Sequence, residues 1–124
     1  MTRTGVSRKA QTARLNAVFA ALADPTRRAI IEQLARGEAR VTEVAEPFRM
    51  SLNAVSKHIR VLQDIGLVRR RIAGRDHYLA FDSGPLDDAG GWLEQARAFW
   101  NLRLDKMERL LREQKAAGEQ THAK

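Results

Sequence analysis

The chain contains no cysteine and no apolar run near the roughly 18 residues that a membrane-spanning helix needs. The first absence excludes disulfides, thiolate metal sites and a cysteine nucleophile. The first residues carry cations but no apolar run before Leu15, so they do not predict a secretory signal. We therefore expect a cytoplasmic protein that makes no use of a membrane.

The sequence also lacks the residue patterns of an enzyme. It shows no Gly-rich phosphate loop, no Ser-His-Asp spacing and no paired-carboxylate cleft. The only histidines are His58, His77 and His122, which are scattered along the chain, whereas a zinc site needs about four converging ligands. We predict no catalytic site, no metal site and no cofactor.

What the chain does have is positive charge concentrated in one window. Its 22 Lys and Arg exceed its 15 Asp and Glu, for a net charge of +7. Residues 49–75 hold seven of those cations against one acid, a local net charge of +6, and residues 1–14 add +4. A solvated surface rarely has so little compensating acid, so the pattern favours a polyanionic partner such as nucleic acid.

The apolar spacing predicts one domain at residues 12–114, between a flexible basic arm at residues 1–11 and a frayed tail at residues 115–124. Within the domain we expect a first helix that ends near Ala23. Asp24-Pro25 is typical of the start of a second helix, because Asp caps helices well and Pro is favoured at the first helical position.

The next two helices form a pair joined by a turn. Thr42 is expected to cap a short third helix, and Pro47 to end it. Ser51 is expected to cap a fourth helix that Gly66 ends. On that helix Val55, Ile59 and Leu62 form one apolar stripe, whereas Asn53, Lys57, Arg60 and Asp64 lie on the opposite side. A helix about 10–12 Å wide fits the major groove of B-DNA.

Residues 68–73 and 77–81 are expected to form a two-stranded hairpin around Gly74. Its register puts Val68, Ile72, Leu79 and Phe81 on one face and Arg69, Arg71 and Tyr78 on the other. Arg70 falls on the inner face, where an acid could pair with it, and Arg75 at the tip suits a phosphate or the minor groove. The predicted DNA-binding residues are Ser51, Asn53, Ala54, Ser56, Lys57, His58, Arg60, Arg69, Arg71 and Arg75.

Three motifs in this order resemble the ArsR/SmtB family of bacterial regulators. They are residues 22–30, Leu-Ala-Asp-Pro-Thr-Arg-Arg-Ala-Ile, then residues 55–62, and then Gly66-Leu67-Val68 with Gly74-Arg75. Within that family the chain is most similar to the branch without metal ligands. The resemblance implies a mainly α winged helix-turn-helix fold with a two-stranded wing. It also implies a transcriptional regulator, most simply a repressor, that binds an inverted-repeat operator in double-stranded DNA and is associated with the nucleoid when it is bound.

By the same resemblance the protein is a homodimer paired through its first and last helices. The last helix, expected from Pro85 to about Gln114, carries apolar residues at spacings of 7, 4, 3 and 4, and the terminal stripes exceed what a small core can cover. The predicted dimer-interface residues are Leu15, Phe19, Leu93, Trp100, Leu104, Met107 and Leu111. Trp100 and Met107 could instead line a pocket for a small-molecule effector, whose existence the sequence leaves open, or pack in the core of a single subunit.

Leu52 and Asn53 depart from the family pattern, which often has Gln and then Pro or Ser at these positions. Leu52 cannot form the bidentate contact to adenine that Gln forms, whereas Asn53 can, so the operator cannot be inferred from relatives. Two other classes of function stay open at this point. One is a nucleic-acid-binding protein of low specificity, and the other is an interaction module whose last helix docks a partner protein.

Overall fold

The computed structural model describes the backbone of residues 7–122 and the side chains of residues 7–118. It divides after Ala89 into two compact units. The first unit contains α1 (Arg8–Leu22), α2 (Pro25–Ala35), β1 (Ala39–Arg40), α3 (Val41–Ala45), α4 (Leu52–Asp64), β2 (Val68–Ala73), β3 (Asp76–Phe81) and the start of α5 (Gly84–His122). The second unit is the remainder of α5.

The first two helices begin at side-chain caps. Ser7 Oγ accepts a hydrogen bond from the Ala10 N–H at 3.0 Å, and this cap starts α1 four residues inside the predicted flexible arm. Residues 8–11 are therefore helical, and residues 1–6 of the arm lie outside the described residues. Asp24 Oδ2 accepts from the Arg27 N–H at 3.0 Å with Pro25 as the first residue of α2, as predicted.

The prediction that Thr42 caps the third helix is wrong. Helix α3 begins two residues earlier than that cap implies, at Val41, with Arg40 in the N-cap position. The Glu43 carboxylate accepts a hydrogen bond from the Arg40 N–H at 2.8 Å. This acid is at the third helical position and bonds back to the N-cap N–H, as the acid of a capping box does, which favours a helix start at Val41.

The sheet has three antiparallel strands in the order β1-β3-β2, instead of the two that were predicted. Strands β2 and β3 form the expected hairpin, with Val68 opposite Phe81 and Ala73 opposite Asp76. The tight turn requires positive φ at Gly74, which has φ +63°. The two-residue strand β1 pairs with β3 through Ala39 and Leu79 and so joins the hairpin to the helices.

The core of the first unit is formed by the apolar stripes of α2 and α4, covered on one side by the sheet. All three predicted inner residues of α4 are fully buried, which confirms the stripe on this helix. The other buried members of the core are Ala21, Ile30, Ile31, Leu34, Val44, Leu67, Val68 and Leu79. Ile72 lies on the same face of the hairpin as Leu79 but is 62% exposed, because the end of the hairpin extends beyond the core.

The last helix is longer than the sequence indicated. It runs through 39 residues to His122, so the expected end near Gln114 is wrong, and residues 115–122 of the predicted frayed tail are helical. Ala89 is buried near its start, whereas its large apolar residues from Trp92 onward are exposed. None of the helices in the described part of the chain is both long and apolar enough to cross a membrane.

Candidate nucleic-acid interface

Helix α4 presents one buried and one exposed face. Ser51 Oγ accepts from the Ala54 N–H at 3.1 Å, which fixes the first turn, and Gly66 beyond the last turn has φ +82°. Between these ends the apolar stripe anchors the helix to the core. The opposite face, with Asn53, Lys57 and Arg60, is exposed.

The polar side chains on this exposed face are available to a ligand. Within residues 7–118, no hydrogen bond or ion pair engages the side chains of Asn53, Lys57 and Arg60. The same is true of Arg75, which lies in the turn of the hairpin. Ala54 and Ser56 lie half-buried at the flanks of the face. These are donors and apolar groups of the kinds that contact phosphates and base edges in the major groove.

His58 points away from the exposed face of α4. Its Nδ1 lies 3.4 Å from Arg27 Nη1 and 3.7 Å from Asp24 Oδ2, both at the start of α2. The Arg27 N–H, and to a smaller extent His58, hold the pKa of Asp24 below its ordinary value of 3.8. The structure therefore separates His58 from the other residues of α4 that we predicted to bind DNA.

Two predicted DNA-binding arginines of the wing are already paired with acids. Arg69 Nε lies 2.6 Å from Asp82 Oδ2, and Arg71 Nη2 lies 2.7 Å from Glu38 Oε1, with the Arg71 guanidinium 4.5 Å above the ring of Tyr78. The hydrogen bond from Arg71 lowers the pKa of Glu38. For Asp82, the Gly84 N–H and then Arg69 lower the pKa. Both arginines are exposed, and Glu38 and Asp82 are at least partly so, which makes these pairs weak enough to open.

Among the described residues Arg70 has no acid partner, the pairing that the sequence left open. Its Nε and Nη2 donate to Gln63 Oε1 on α4, at 3.3 and 3.0 Å. Its Nη1 lies 3.0 Å from His77 Nδ1 on β3. The inner arginine of the wing therefore connects the hairpin to α4 instead of neutralising a carboxylate.

Sequence reasoning also missed the role of two arginines at the start of α2. Arg27 Nε donates to the Ala21 carbonyl at 2.9 Å, and Arg28 Nη1 donates to the Leu22 carbonyl at 2.6 Å. Both side chains satisfy carbonyls at the end of α1, which have no partner within their own helix. Cations are unfavourable at the N-terminal end of a helix dipole. The placement of both arginines in the first turn of α2 was therefore a signal that they interact with another helix.

The residues predicted for the dimer interface fall into two groups. On α1, Leu15 and Phe19 are half-buried. On α5, the five predicted residues are all more than half exposed, from 51% at Leu93 to 62% at Leu111. They lie within about 60° of one another around the helix axis. The described part of the chain thus leaves an apolar stripe in contact with solvent.

Comparison with known proteins agrees with this architecture. Residues 22–71, from the end of α1 to β2, match the family model described as a helix-turn-helix domain. The chain is 30% identical over 79 residues to the transcriptional repressor SdpR of Bacillus subtilis, covering 64% of this chain and 88% of SdpR. It is 41% identical to the crystal structure of an ArsR family transcriptional regulator, with a TM-score of 0.69 over 73% of this chain and 93% of that one.

The chain belongs to the ArsR/SmtB family. It is also similar to the homodimeric winged helix-turn-helix DNA-binding domain of a possible ArsR-family regulator from Mycobacterium bovis, with 29% identity and a TM-score of 0.51 over 76% of this chain and 82% of that one. As an ArsR/SmtB protein it is a DNA-binding transcriptional regulator and not an enzyme. The predicted family, winged-helix fold and class of function are confirmed.

Proposed function

We propose that this ArsR/SmtB protein is a repressor that binds an inverted-repeat operator as a homodimer. In this proposal α4 enters the major groove, and the hairpin of β2 and β3 lies along the backbone or in the minor groove. The observation that carries it is the exposed face of α4, where Asn53, Lys57 and Arg60 have no partner among the described residues. Exposed cations on a helix that is anchored to the core are well placed to bind a polyanionic DNA groove.

The same helix supplies groups that can distinguish bases. Asn53 can form two hydrogen bonds to adenine, and Lys57 and Arg60 can reach either phosphates or guanine. Ala54 can contact a thymine methyl group, while Ser51 and Ser56 can donate to phosphates. On the wing, Arg75 is the best candidate for a direct phosphate contact, because Arg69 and Arg71 must first release Asp82 and Glu38.

The occupant that we propose for the exposed stripe of α5 is a second copy of the chain. Leu93, Trp100, Leu104, Met107 and Leu111 would pair with the same helix of the partner, and Leu15 and Phe19 of α1 would complete the interface. A related domain of the family is homodimeric, which supports this choice. We place DNA binding and dimerisation in residues 12–114, and we expect the protein to act in the cytoplasm.

Fluorescence anisotropy tests this function directly. Purified protein is titrated against the DNA upstream of its own gene and against shuffled duplexes of equal length, over a series of salt concentrations. A specific repressor should prefer the upstream DNA by about 10³-fold or more at physiological salt. Equal and steeply salt-sensitive binding to both duplexes would indicate a nucleic-acid-binding protein of low specificity instead.

A further inference from the structure

Arg27 links three helices. It belongs to α2, where its own N–H is bonded to Asp24 Oδ2. Its Nε and Nη2 donate to the carbonyls of Ala21 and Ala20 at the end of α1, at 2.9 and 3.3 Å. Its Nη1 lies 3.4 Å from His58 Nδ1 on α4. A single planar guanidinium therefore joins the end of α1 to the middle of the recognition helix.

The Arg27 guanidinium is well suited to hold the groups around it at fixed relative positions. A guanidinium has five N–H donors in one rigid plane, so bonds made from its different nitrogens hold their acceptors at set relative positions. The Asp24 carboxylate closes the arrangement, because the oxygen that caps α2 also lies 3.7 Å from His58 Nδ1. A shift of α4 along or about its axis must break these contacts or move α1 with it.

We propose that Arg27 is the positioning residue that sets the distance between the two recognition helices, and therefore the half-site spacing that the dimer prefers. This inference rests on the proposed function, in which α1 contributes to the dimer interface and α4 reads the DNA. Because the dimer is two-fold symmetric, a change in the position of α4 relative to α1 occurs in both subunits and displaces both recognition helices. Half-sites must lie about one helical turn apart or a multiple of it, so a small displacement changes which spacing fits.

Arg28 provides a matched control. It is the next residue in the same turn of α2, and its Nη1 also donates to a carbonyl at the end of α1, that of Leu22. In the described part of the chain its side chain makes no hydrogen bond or ion pair with α4. Arg27→Lys and Arg28→Lys both keep the net charge, but each replaces the rigid fork of donors with a single ammonium. Comparison of the two variants therefore separates the effect of the contact with α4 from the effect of capping the carbonyls of α1.

The experiment begins with selection of a two-half-site duplex from a randomised pool by the wild-type protein. A set of duplexes is then made with one or two base pairs inserted or deleted between the half-sites, and each is titrated with wild type, Arg27→Lys, Arg28→Lys and His58→Gln. The readout is the ratio of affinities between the selected spacing and its neighbours. A general loss of DNA affinity cancels in this ratio, so a change reports positioning.

We expect the ratio to fall about tenfold in Arg27→Lys and His58→Gln, the size of one hydrogen bond to a charged group, and to keep its wild-type value in Arg28→Lys. Wild-type ratios in both of the first two variants, or an equal fall in Arg28→Lys, would overturn the proposal. If Arg27→Lys does not fold, as judged by circular dichroism, His58→Gln alone decides, because it leaves the α1 carbonyl bonds intact. If the wild type selects no duplex with two half-sites, the proposed function itself fails.

Discussion

The side-chain oxygen of Gln63 on α4 accepts two hydrogen bonds from the guanidinium of Arg70 on β2, 3.0 Å from Nη2 and 3.3 Å from Nε. His77 on the neighbouring strand lies 3.0 Å from the third nitrogen of the same group. Arg70 stands between Arg69 and Arg71 in the sequence, yet all of its nitrogens face the protein. One of the three consecutive arginines of the wing is therefore structural.

Arg70→Ala should weaken operator binding about tenfold without changing its dependence on salt. The loss arises because the hairpin is no longer held to α4, whereas the number of phosphate contacts is the same. Anisotropy titrations at several salt concentrations give both the affinity and the slope of log K against log salt. A slope that falls by about one would instead make Arg70 a phosphate contact.

Replacing both Lys57 and Arg60 with Ala should abolish specific operator binding and leave the protein folded and dimeric. Both side chains are exposed and without a partner in the described residues, so their removal costs the fold little. Mobility-shift titration measures the binding, and circular dichroism with sedimentation checks the fold and the dimer. Lys9→Ala with Arg36→Ala removes the same charge outside the basic window. Retained binding in the Lys57 and Arg60 variant would exclude α4 as the recognition helix.

Arg75→Ala should lower the slope of log K against log salt by about one counterion, because Arg75 is free to neutralise a phosphate. Arg71→Ala should lower it less, since Glu38 already neutralises Arg71. The reciprocal change, Glu38→Gln, releases Arg71 and should raise the affinity for shuffled DNA and steepen its slope. Equal slopes in all three variants would contradict this division of the wing arginines.

Trp100→Ala should raise the dissociation constant of the dimer roughly 30-fold or more, the effect of removing an aromatic residue from the centre of an interface. Sedimentation equilibrium over a range of concentrations measures this constant. Leu102→Ala is the control, because Leu102 is also apolar and exposed, at 69%, but lies on the opposite side of α5. An unchanged dimer in Trp100→Ala would assign Trp100 to an effector pocket or to intramolecular packing.

Gly90→Ala and Gly91→Ala should each stabilise the protein by roughly 0.5–1 kcal/mol. Both glycines lie inside α5, where glycine costs about this much relative to alanine. Apart from the adjoining backbone of α5 itself, no described atom lies within 4 Å of a Cβ built at either position. Urea unfolding of the wild type and the variants measures the change. Gly74→Ala is the opposite control, because φ +63° strains an alanine there. A loss of stability in the helix variants would indicate that a second chain packs against this bare backbone.

Local sequence signals predicted which segments form the helices and the hairpin, but not where α1 and α3 begin or where α5 ends. The apolar stripe of α4, its Ser51 cap and its Gly66 stop are all encoded within one segment, and the order of the strands β2 and β3 follows from a two-residue turn. The site residues on the exposed face of α4 follow from the same periodicity, because the residues opposite a buried stripe must face solvent.

The features that the sequence did not predict depend on residues distant in the chain. Strand β1 has only two residues, too few to show a pattern, and exists because β3 offers free backbone groups. The partners of the wing arginines, Glu38 and Asp82, lie 33 and 13 residues away from them. Nothing in the spacing of charges reveals which of several acids a folded hairpin will reach.

In the proposed DNA complex, the pairing of β1 with β3 should decide whether the protein or the duplex deforms when the two surfaces do not match. Strand β1 ends at Arg40 and α3 begins at the next residue, so no loop separates the sheet from this helix. A tilt of the hairpin relative to the helices would therefore break the hydrogen bonds between β1 and β3 or distort the backbone between Arg40 and Val41. A stiff protein surface transfers the strain to the duplex. Base pairs that the protein never touches should therefore influence affinity through the ease with which they bend or twist.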